Sequence, residues 1–323
     1  MNMDTSSVPL AIRLRANKRV SATTPRRAAY TTAQGGRHYV APHPRMPDYT
    51  AGDACKHHTE QDGRCAVGRV ICLGTGDPLN AERAQTCLAV QLPAEEAILF
   101  DASSGTTVLG QLQTAGIPLE RIHHLFVTHR HFDHVGGLAP LLISTASLPE
   151  AHLTVHALPG TMRALRELLA LTIPGIEDWL GERLRWRELA PKSTIQVGEV
   201  EVVPFFVDHS VECVGYRIEQ GGSTMVFAAD TRPCQGVVEL AKGADLLIHE
   251  AYGTSGEAEA AHFRGHSTAA DAGAVAREAG VGRLVLTHIR ANRFADPGEL
   301  VDEAGEVFGG TVEAARDLDA FAF

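Results

Sequence analysis

The arrangement of apolar and polar residues divides the chain into two regions. The first 65 residues are rich in Ser, Thr, Arg, Pro and Gly and show no sustained periodicity. A segment of this kind buries too little apolar surface to offset its chain entropy, so we predict a disordered tail over residues 1–65. From residue 66 onwards, short apolar runs alternate with turns and with apolar residues at helical spacing, which predicts one folded domain over residues 66–323.

The second region contains two successive series of predicted elements. In the first series we predict strands at VGRVICLGTG, CLAVQL, EEAILFDAS, IHHLFVTH and LTVHAL, and helices at GTTVLGQLQTAG, GGLAPLLISTAS and TMRALRELLALT. In the second series we predict strands at TIQVGEVEVVPFFVDH, CVGYRIEQ, STMVFAAD, ADLLIHE and RLVLTH, and helices at GVVELAKG and TAADAGAVAREAG. Two β-rich halves flanked by helices predict an α/β domain in which two sheets pack together with helices outside.

The composition is that of a globular protein, with 44% apolar and 21% charged residues in a chain of 323. Its six cysteines are scattered without a CxxC pair, a usage typical of reduced thiols that favours a cytoplasmic location. No apolar run reaches the roughly 18 residues that a membrane-spanning helix needs. We therefore expect a cytoplasmic protein without a membrane partner.

Charge is distributed unevenly along the chain. Residues 1–50 contain eight Lys and Arg against two Asp, a net charge of +6. Since the whole chain carries −10, residues 51–323 carry −16. Because binding to phosphates dominates affinity for nucleic acid, so acidic a body is a poor general platform for it. The basic tail leaves two other interpretations open, an organelle-targeting segment and an arm that binds nucleic acid.

Ionisable residues end several of the predicted strands. Since the ends of neighbouring strands meet at one edge of a sheet, we expect these side chains to converge there. The strand-ending residues are His129, His209, Asp230, Glu250 and His288.

The segment THRHFDHVGG carries the strongest chemical signal. His129 and His131 are two positions apart and can face one cation, while Asp133 and His134 follow a bend and can face a second. Imidazole nitrogens combined with carboxylates suit Zn²⁺, and they also suit Mn²⁺ or Fe²⁺. The motif therefore predicts two divalent metal ions, with Zn²⁺ as the expected metal.

These motifs resemble those of the metallo-β-lactamase superfamily, over residues 73–288. The resemblance implies a single-domain αβ/βα four-layer sandwich with a dinuclear metal site. It implies that His129, His131 and His209 bind the first metal. It implies that Asp133, His134 and His288 bind the second metal, and that Asp230 bridges both.

Two further segments, LLIHEA and GHSTAADAGAVAREAGVGRLVLTHI, resemble the ribonuclease Z group of the superfamily. In that group a Glu of the HEA segment pairs with the His of HST, which implies a pair of Glu250 and His266 here. One departure is Ala229, which stands where the family usually has Gly before the bridging Asp. The other departure is that the arm that clamps tRNA in ribonuclease Z is missing. The matching region, PGTMRALRELLALTIPGIEDWLGERLRWRELAP, balances five arginines against five acids and is typical of ordinary helical structure.

The resemblance implies a ribonuclease Z-like phosphodiesterase and endonuclease, in which a metal-bridging hydroxide attacks phosphorus. We expect Asp133 to orient the attacking water and accept its proton. We expect Glu250 to raise the pKa of His266, which would then protonate the leaving group as a general acid. The alternatives are the same centre acting on another ester, such as an aryl sulfate or a lactone, and a non-catalytic scaffold. We expect the substrate to be a phosphodiester or other ester. Because the clamping arm is missing, tRNA is in doubt as a substrate. The resemblance also implies a homodimer.

Overall fold

The computed structural model describes residues 68–92 and 96–323. The predicted disordered tail, residues 1–65, lies outside the described residues. The strands, in chain order, are β1 (Arg69–Gly74), β2 (Cys87–Gln91), β3 (Ala97–Phe100), β4 (Ile122–Phe126), β5 (Leu153–Ala157), β6 (Leu184–Glu188), β7 (Ile195–Val197), β8 (Val200–Val207), β9 (Cys213–Gln220), β10 (Ser223–Phe227), β11 (Leu246–Glu250), β12 (Arg283–Thr287), β13 (Thr311–Ala314) and β14 (Ala320–Ala322).

The helices lie mainly between consecutive parallel strands. They are α1 (Thr107–Thr114), α2 (Phe132–Val135), α3 (Leu138–Ser147), α4 (Pro159–Thr172), α5 (Ile176–Leu180), α6 (Gln235–Ala241), α7 (Ala258–Arg264), α8 (Ala269–Ala279) and α9 (Gly298–Phe308). Short 3-10 helices occupy Leu119–Arg121, Gly181–Arg183 and Ser255–Glu257. Helix α8 shows how local sequence sets such boundaries. Thr268 and Asp271 form a capping box at its start, and Gly280 ends it in a left-handed conformation.

The strands form two seven-stranded sheets among the described residues. The first sheet has the order β14-β1-β2-β3-β4-β5-β6, and the second has the order β13-β12-β11-β10-β9-β8-β7. In the first sheet, β3 to β6 are parallel to one another, and in the second sheet β10 to β13 are parallel. Each sheet thus has a parallel portion of β-α-β units, whose strand ends provide the loops that carry the ionisable residues.

Three apolar clusters hold these layers together. One lies between the first sheet and α1, α3 and α4, and another lies between the second sheet and α6, α8 and α9. The central cluster joins the sheets, since Phe100 and Phe126 of the first sheet pack against Tyr216 of the second. The interior strands of the parallel portions, such as β3, β5, β10 and β11, are buried on both faces, which explains why they read as continuous apolar runs. The predicted αβ/βα four-layer sandwich is confirmed.

Some elements differ from the prediction. The region expected to be ordinary helical structure contains α4 and α5 but also strand β6. Helix α9 and strands β13 and β14 follow the last predicted strand and were not expected from the sequence pattern. No helix among the described residues is both long enough and apolar enough to cross a membrane.

Candidate metal centre

The predicted ligand residues come from both sheets and lie on the loops that follow their strands. His129 follows β4, and His131 precedes α2, which itself contains Asp133 and His134. From the second sheet, the loops after β8, β10 and β12 provide one residue each, namely His209, Asp230 and His288. The structure brings all seven side chains together at one place.

Three histidines form the first part of this cluster. The Nε2 atom of His129 lies 3.0 Å from Nδ1 of His131, and the same Nδ1 lies 3.1 Å from Nε2 of His209. One ligand atom from each of the three lies within 4.8 Å of the others, a separation that permits coordination of one ion.

The second part contains Asp133, His134, Asp230 and His288, all buried. The Oδ2 atom of Asp230 lies 3.3 Å from Nε2 of His134, 3.5 Å from Nε2 of His288 and 3.8 Å from Nε2 of His129. Asp230 therefore lies between the two groups of histidines. This is the position that a carboxylate shared by two ions would occupy.

Hydrogen bonds from outside the cluster set the tautomers of its imidazoles. His134 donates from Nδ1 to Oδ2 of Asp101 at 2.7 Å, and His209 donates from Nδ1 to the carbonyl oxygen of Gly265 at 2.7 Å. Each ring then directs the lone pair of Nε2 into the cluster, and Nε2 of His134 and of His288 has no hydrogen-bond partner among the described residues. Buried lone pairs that converge without donors are unfavourable unless a cation lies between them, so these residues fit divalent metal ions.

Asp101 is a residue of this site that the sequence analysis missed. It is fully buried at the end of β3, where it also accepts hydrogen bonds from the backbone N–H and the hydroxyl of Thr128. The signal was present in the sequence, because Asp101 ends the apolar run AILF just as the predicted ligands end theirs.

The electrostatics of the cluster suit metal binding. Burial lowers the pKa of His131 and of His209, and it holds the pKa of His129 well below its usual range. Burial also opposes the charged form of His134, but the surrounding carboxylates together raise its pKa well above the usual value. For Asp230, burial is outweighed by the neighbouring imidazoles, which lower its pKa. Since metal ligands must be deprotonated, a divalent cation would replace the proton that His134 and Asp230 compete for.

The predicted pair of Glu250 and His266 borders the same cluster. Nδ1 of His266 lies 3.0 Å from Oε2 of Glu250 and 4.0 Å from Oδ2 of Asp230. The expectation that this pair raises the pKa of His266 is wrong, because burial outweighs the nearby carboxylates and lowers that pKa. Burial and the charge of Asp230 instead raise the pKa of Glu250. The ring of Tyr252 stacks on His266 with centroids 4.6 Å apart and planes at 7°.

The backbone around the centre includes residues with left-handed conformations. A positive φ costs an L-residue roughly 1–2 kcal/mol because Cβ approaches the following carbonyl. Three residues beside or within the ligand set have this conformation: Asp101 (φ 60°), Ala229 (φ 58°) and His288 (φ 54°).

A separate cavity of about 620 Å³ is lined by residues of α4, α5 and β6. None of the predicted site residues lines it. The location of the functional site therefore follows from the converging ligand atoms and not from cavity size.

Comparison with known proteins gives a consistent result. A sequence model of the beta-lactamase superfamily domain matches residues 96–289. A protein named ribonuclease Z from Haloferax volcanii is 32% identical over 303 residues, which covers 77% of this chain and 93% of that protein. Among solved structures, the metallo-β-lactamase fold protein YhfI from Bacillus subtilis has a TM-score of 0.68 at 24% identity, covering 79% of this chain and 99% of that one. The short form of human tRNase Z has a TM-score of 0.63 at 22% identity, covering 79% of this chain and 98% of that one.

Proposed function

Because the chain belongs to the metallo-β-lactamase superfamily, in its ribonuclease Z-like group, and is a metal-dependent hydrolase, we propose that it cleaves phosphodiesters with two divalent metal ions. The observation that carries this proposal is the convergence of seven His and Asp side chains, Asp230 among them, at one place. Similarity to a protein named ribonuclease Z favours phosphorus as the electrophile over sulfate esters and lactones.

We assign the ligands as the geometry groups them. His129, His131 and His209 would hold one ion, and Asp133, His134 and His288 would hold the other. Asp230, between the two groups, would be a ligand to both. Two such ions, with Zn²⁺ as the proposed metal, would lower the pKa of water and offset negative charge on the phosphoryl oxygens.

Asp133 is the residue that we assign to the attacking water. Its carboxylate is buried, lies 3.4 Å from Nε2 of His134, and has a pKa that neighbouring imidazoles hold below its usual value despite burial. An ionised carboxylate in this position can orient a water molecule and accept its proton as the new P–O bond forms.

His266 is the residue that we assign to the leaving group. Because Nδ1 faces Glu250, Nε2 lies on the opposite side of the ring and is the atom that can give a proton to the leaving oxygen as its bond to phosphorus breaks. Glu250 is held in turn by the backbone N–H of Thr231 at 2.6 Å, and Tyr252 fixes the plane of the imidazole ring. Burial lowers the pKa of His266, which makes the protonated ring a stronger acid and reduces the fraction of the ring that is protonated before reaction.

A substrate panel with metal analysis of the same sample tests the proposal. The panel contains bis-(p-nitrophenyl) phosphate, p-nitrophenyl sulfate, a lactone and a precursor tRNA, and metal content is measured by plasma mass spectrometry. We expect about two ions per chain and turnover of the phosphodiester.

Other outcomes contradict the proposal in distinguishable ways. Turnover of the sulfate or the lactone alone would assign the centre to another ester, and a folded, metal-free chain would favour a scaffold. Cleavage of precursor tRNA would extend the substrate range to the RNA that the name of human tRNase Z describes.

A further inference from the structure

Exposed aromatic side chains are concentrated around the metal centre. The exposed phenylalanines among the described residues are Phe132, Phe206 and Phe263, and each lies within three positions of His131, His209 or His266. Single exposed apolar residues are normal on a protein surface, but aromatic groups gathered beside a site are candidates for contact with a ligand.

Phe132 lies between two proposed metal ligands and is 69% exposed. A Cβ added at Gly136 would come within 2.8 Å of the Cε2 atom of Phe132, so the ring lies directly over the backbone of Gly136. The ring edge at Cε2 and Cζ therefore lies against Gly136, the residue that ends α2, and the rest of the ring is open to solvent. Such a fixed ring is suited to stacking against a planar group of a ligand.

Phe263 is 85% exposed and lies two positions before Gly265, whose carbonyl oxygen accepts a hydrogen bond from His209. It lies near the end of α7, which is anchored to its surroundings by its neighbour His262. The imidazole of His262 lies 2.7 Å from Oδ2 of Asp271, and its carbonyl accepts a hydrogen bond from Arg232 at 2.6 Å. In the turn that follows, the carbonyl oxygen of Gly265 accepts the hydrogen bond from Nδ1 of His209. The position of Phe263 is thus fixed relative to the metal centre.

Each of these phenylalanines is adjacent or nearly adjacent to an exposed arginine. Arg130 precedes Phe132 by two residues, and Arg264 follows Phe263 directly. Neither arginine forms an ion pair among the described residues; Arg264 donates one hydrogen bond, to the carbonyl oxygen of Ala260 at 3.2 Å, so each guanidinium group retains donors for a ligand. An aromatic ring beside a cationic group suits a ligand that is both planar and anionic.

We propose that Phe132 and Phe263 form a stacking subsite for unpaired nucleobases on either side of the cleaved phosphodiester, with Arg130 and Arg264 binding the adjoining phosphates. This inference rests on the proposed phosphodiesterase function and specifies its substrate as a short single-stranded oligonucleotide. Stacking is tolerant of base identity, so cleavage would not depend strongly on sequence. Recognition of this kind needs only a few nucleotides and no contact with a folded RNA body.

The inference is tested by binding of two labelled hexamers to the full chain with its metal content as purified. Both hexamers have phosphorothioate linkages that resist hydrolysis. One carries uracil at every position, and the other has the same backbone without bases. Since their charges are equal, the ratio of their dissociation constants from fluorescence anisotropy reports stacking and is insensitive to the basic N-terminal residues.

We expect the base-bearing hexamer to bind about 5- to 100-fold more tightly than the abasic one, the effect of stacking one or two bases. Phe132→Ala and Phe263→Ala should each lower this ratio, and Phe132→Trp should preserve it because the ring is retained. The control is Trp179→Ala, which removes an aromatic side chain that is 56% exposed on α5, outside the site, and should leave the ratio unchanged.

Two results would overturn the inference: a ratio near one for the unmodified chain, or a ratio that survives both alanine substitutions. A normal thermal unfolding midpoint for each variant shows that the comparison concerns folded protein. Base-dependent binding without hydrolysis of any phosphodiester would support the subsite and reject the proposed function, so the two failures can be told apart.

Discussion

Replacement of Asp101 by Asn tests how a buried carboxylate controls the metal centre. Both oxygens of Asp101 accept hydrogen bonds: Oδ1 from the N–H of Thr128 at 2.8 Å, and Oδ2 from the hydroxyl of Thr128 at 2.8 Å and from Nδ1 of His134 at 2.7 Å. Asn has nearly the same shape and tolerates the left-handed backbone of this position. Its amide NH₂, however, must replace one of the two accepting oxygens.

Each of the two amide orientations has a definite cost. If the NH₂ group faces the N–H of Thr128, a buried donor lies against a donor, which costs about 1–3 kcal/mol of unfolding free energy. If the NH₂ group faces His134, Nδ1 must become an acceptor and the ring proton moves to Nε2. The lone pair that faces Asp230 is then lost, and metal affinity falls by about 10- to 100-fold.

Two assays separate these outcomes. Urea unfolding of the metal-free protein measures the first cost, and competition with a chromophoric chelator measures the second. The matched control is Thr128→Ser, which keeps both donors and should leave metal affinity unchanged, while loss of its buried methyl group should cost about 0.8 kcal/mol of unfolding free energy. Unchanged stability together with unchanged metal affinity in Asp101→Asn would refute the role assigned to Asp101.

Three other predictions follow from the site and from the core. His266→Ala should retain the bound metal and lose about 10²-fold in kcat on a substrate with a poor leaving group, whereas exposed His152→Ala should be unaffected; an undiminished rate would reject His266 as the general acid. Chelation of the metal should abolish turnover and lower the thermal midpoint, because ions that bind only the folded state stabilise it; a midpoint that is independent of metal would contradict the ligand assignment. Burial lowers the pKa of His156, which is 5% exposed, to about 3, so below pH 6.5 only the unfolded chain takes up this proton. As the pH decreases from 6.5 to about 3, the free energy of unfolding should therefore fall by up to about 1.4 kcal/mol per pH unit. Urea titrations of His156→Gln should show a dependence of this free energy on pH that is smaller by one proton.

The strongest sequence predictions concerned residues where two patterns coincide. An apolar strand followed at once by His or Asp placed His209, Asp230 and His288 at the ends of buried strands, because only a polar group with a specific partner is stable there. The same rule applies to Asp101, which the sequence analysis did not identify although it follows the apolar run AILF directly.

The strands that were missed share a physical property. Strands β6, β13 and β14 lie at the edges of their sheets, where one side of the strand has no neighbouring strand. Such strands need few apolar residues, as the mainly polar sequence LRWRE of β6 shows, so their hydrophobic pattern is weak. The altered pKa of His266 was also beyond the sequence, since it depends on how deeply the fold buries the ring.

The left-handed residues at Asp101, Ala229 and His288 have a consequence for how this protein can be altered. Glycine adopts that conformation freely, so it would relieve roughly 1–2 kcal/mol of strain at each position. At Asp101 that gain would be offset by the buried donors of Thr128 and His134 left without an acceptor, and at His288 the exchange would remove a proposed ligand. Ala229 has only a methyl group to lose, so it is the position of the three where a more durable protein can be obtained with every proposed ligand still in place.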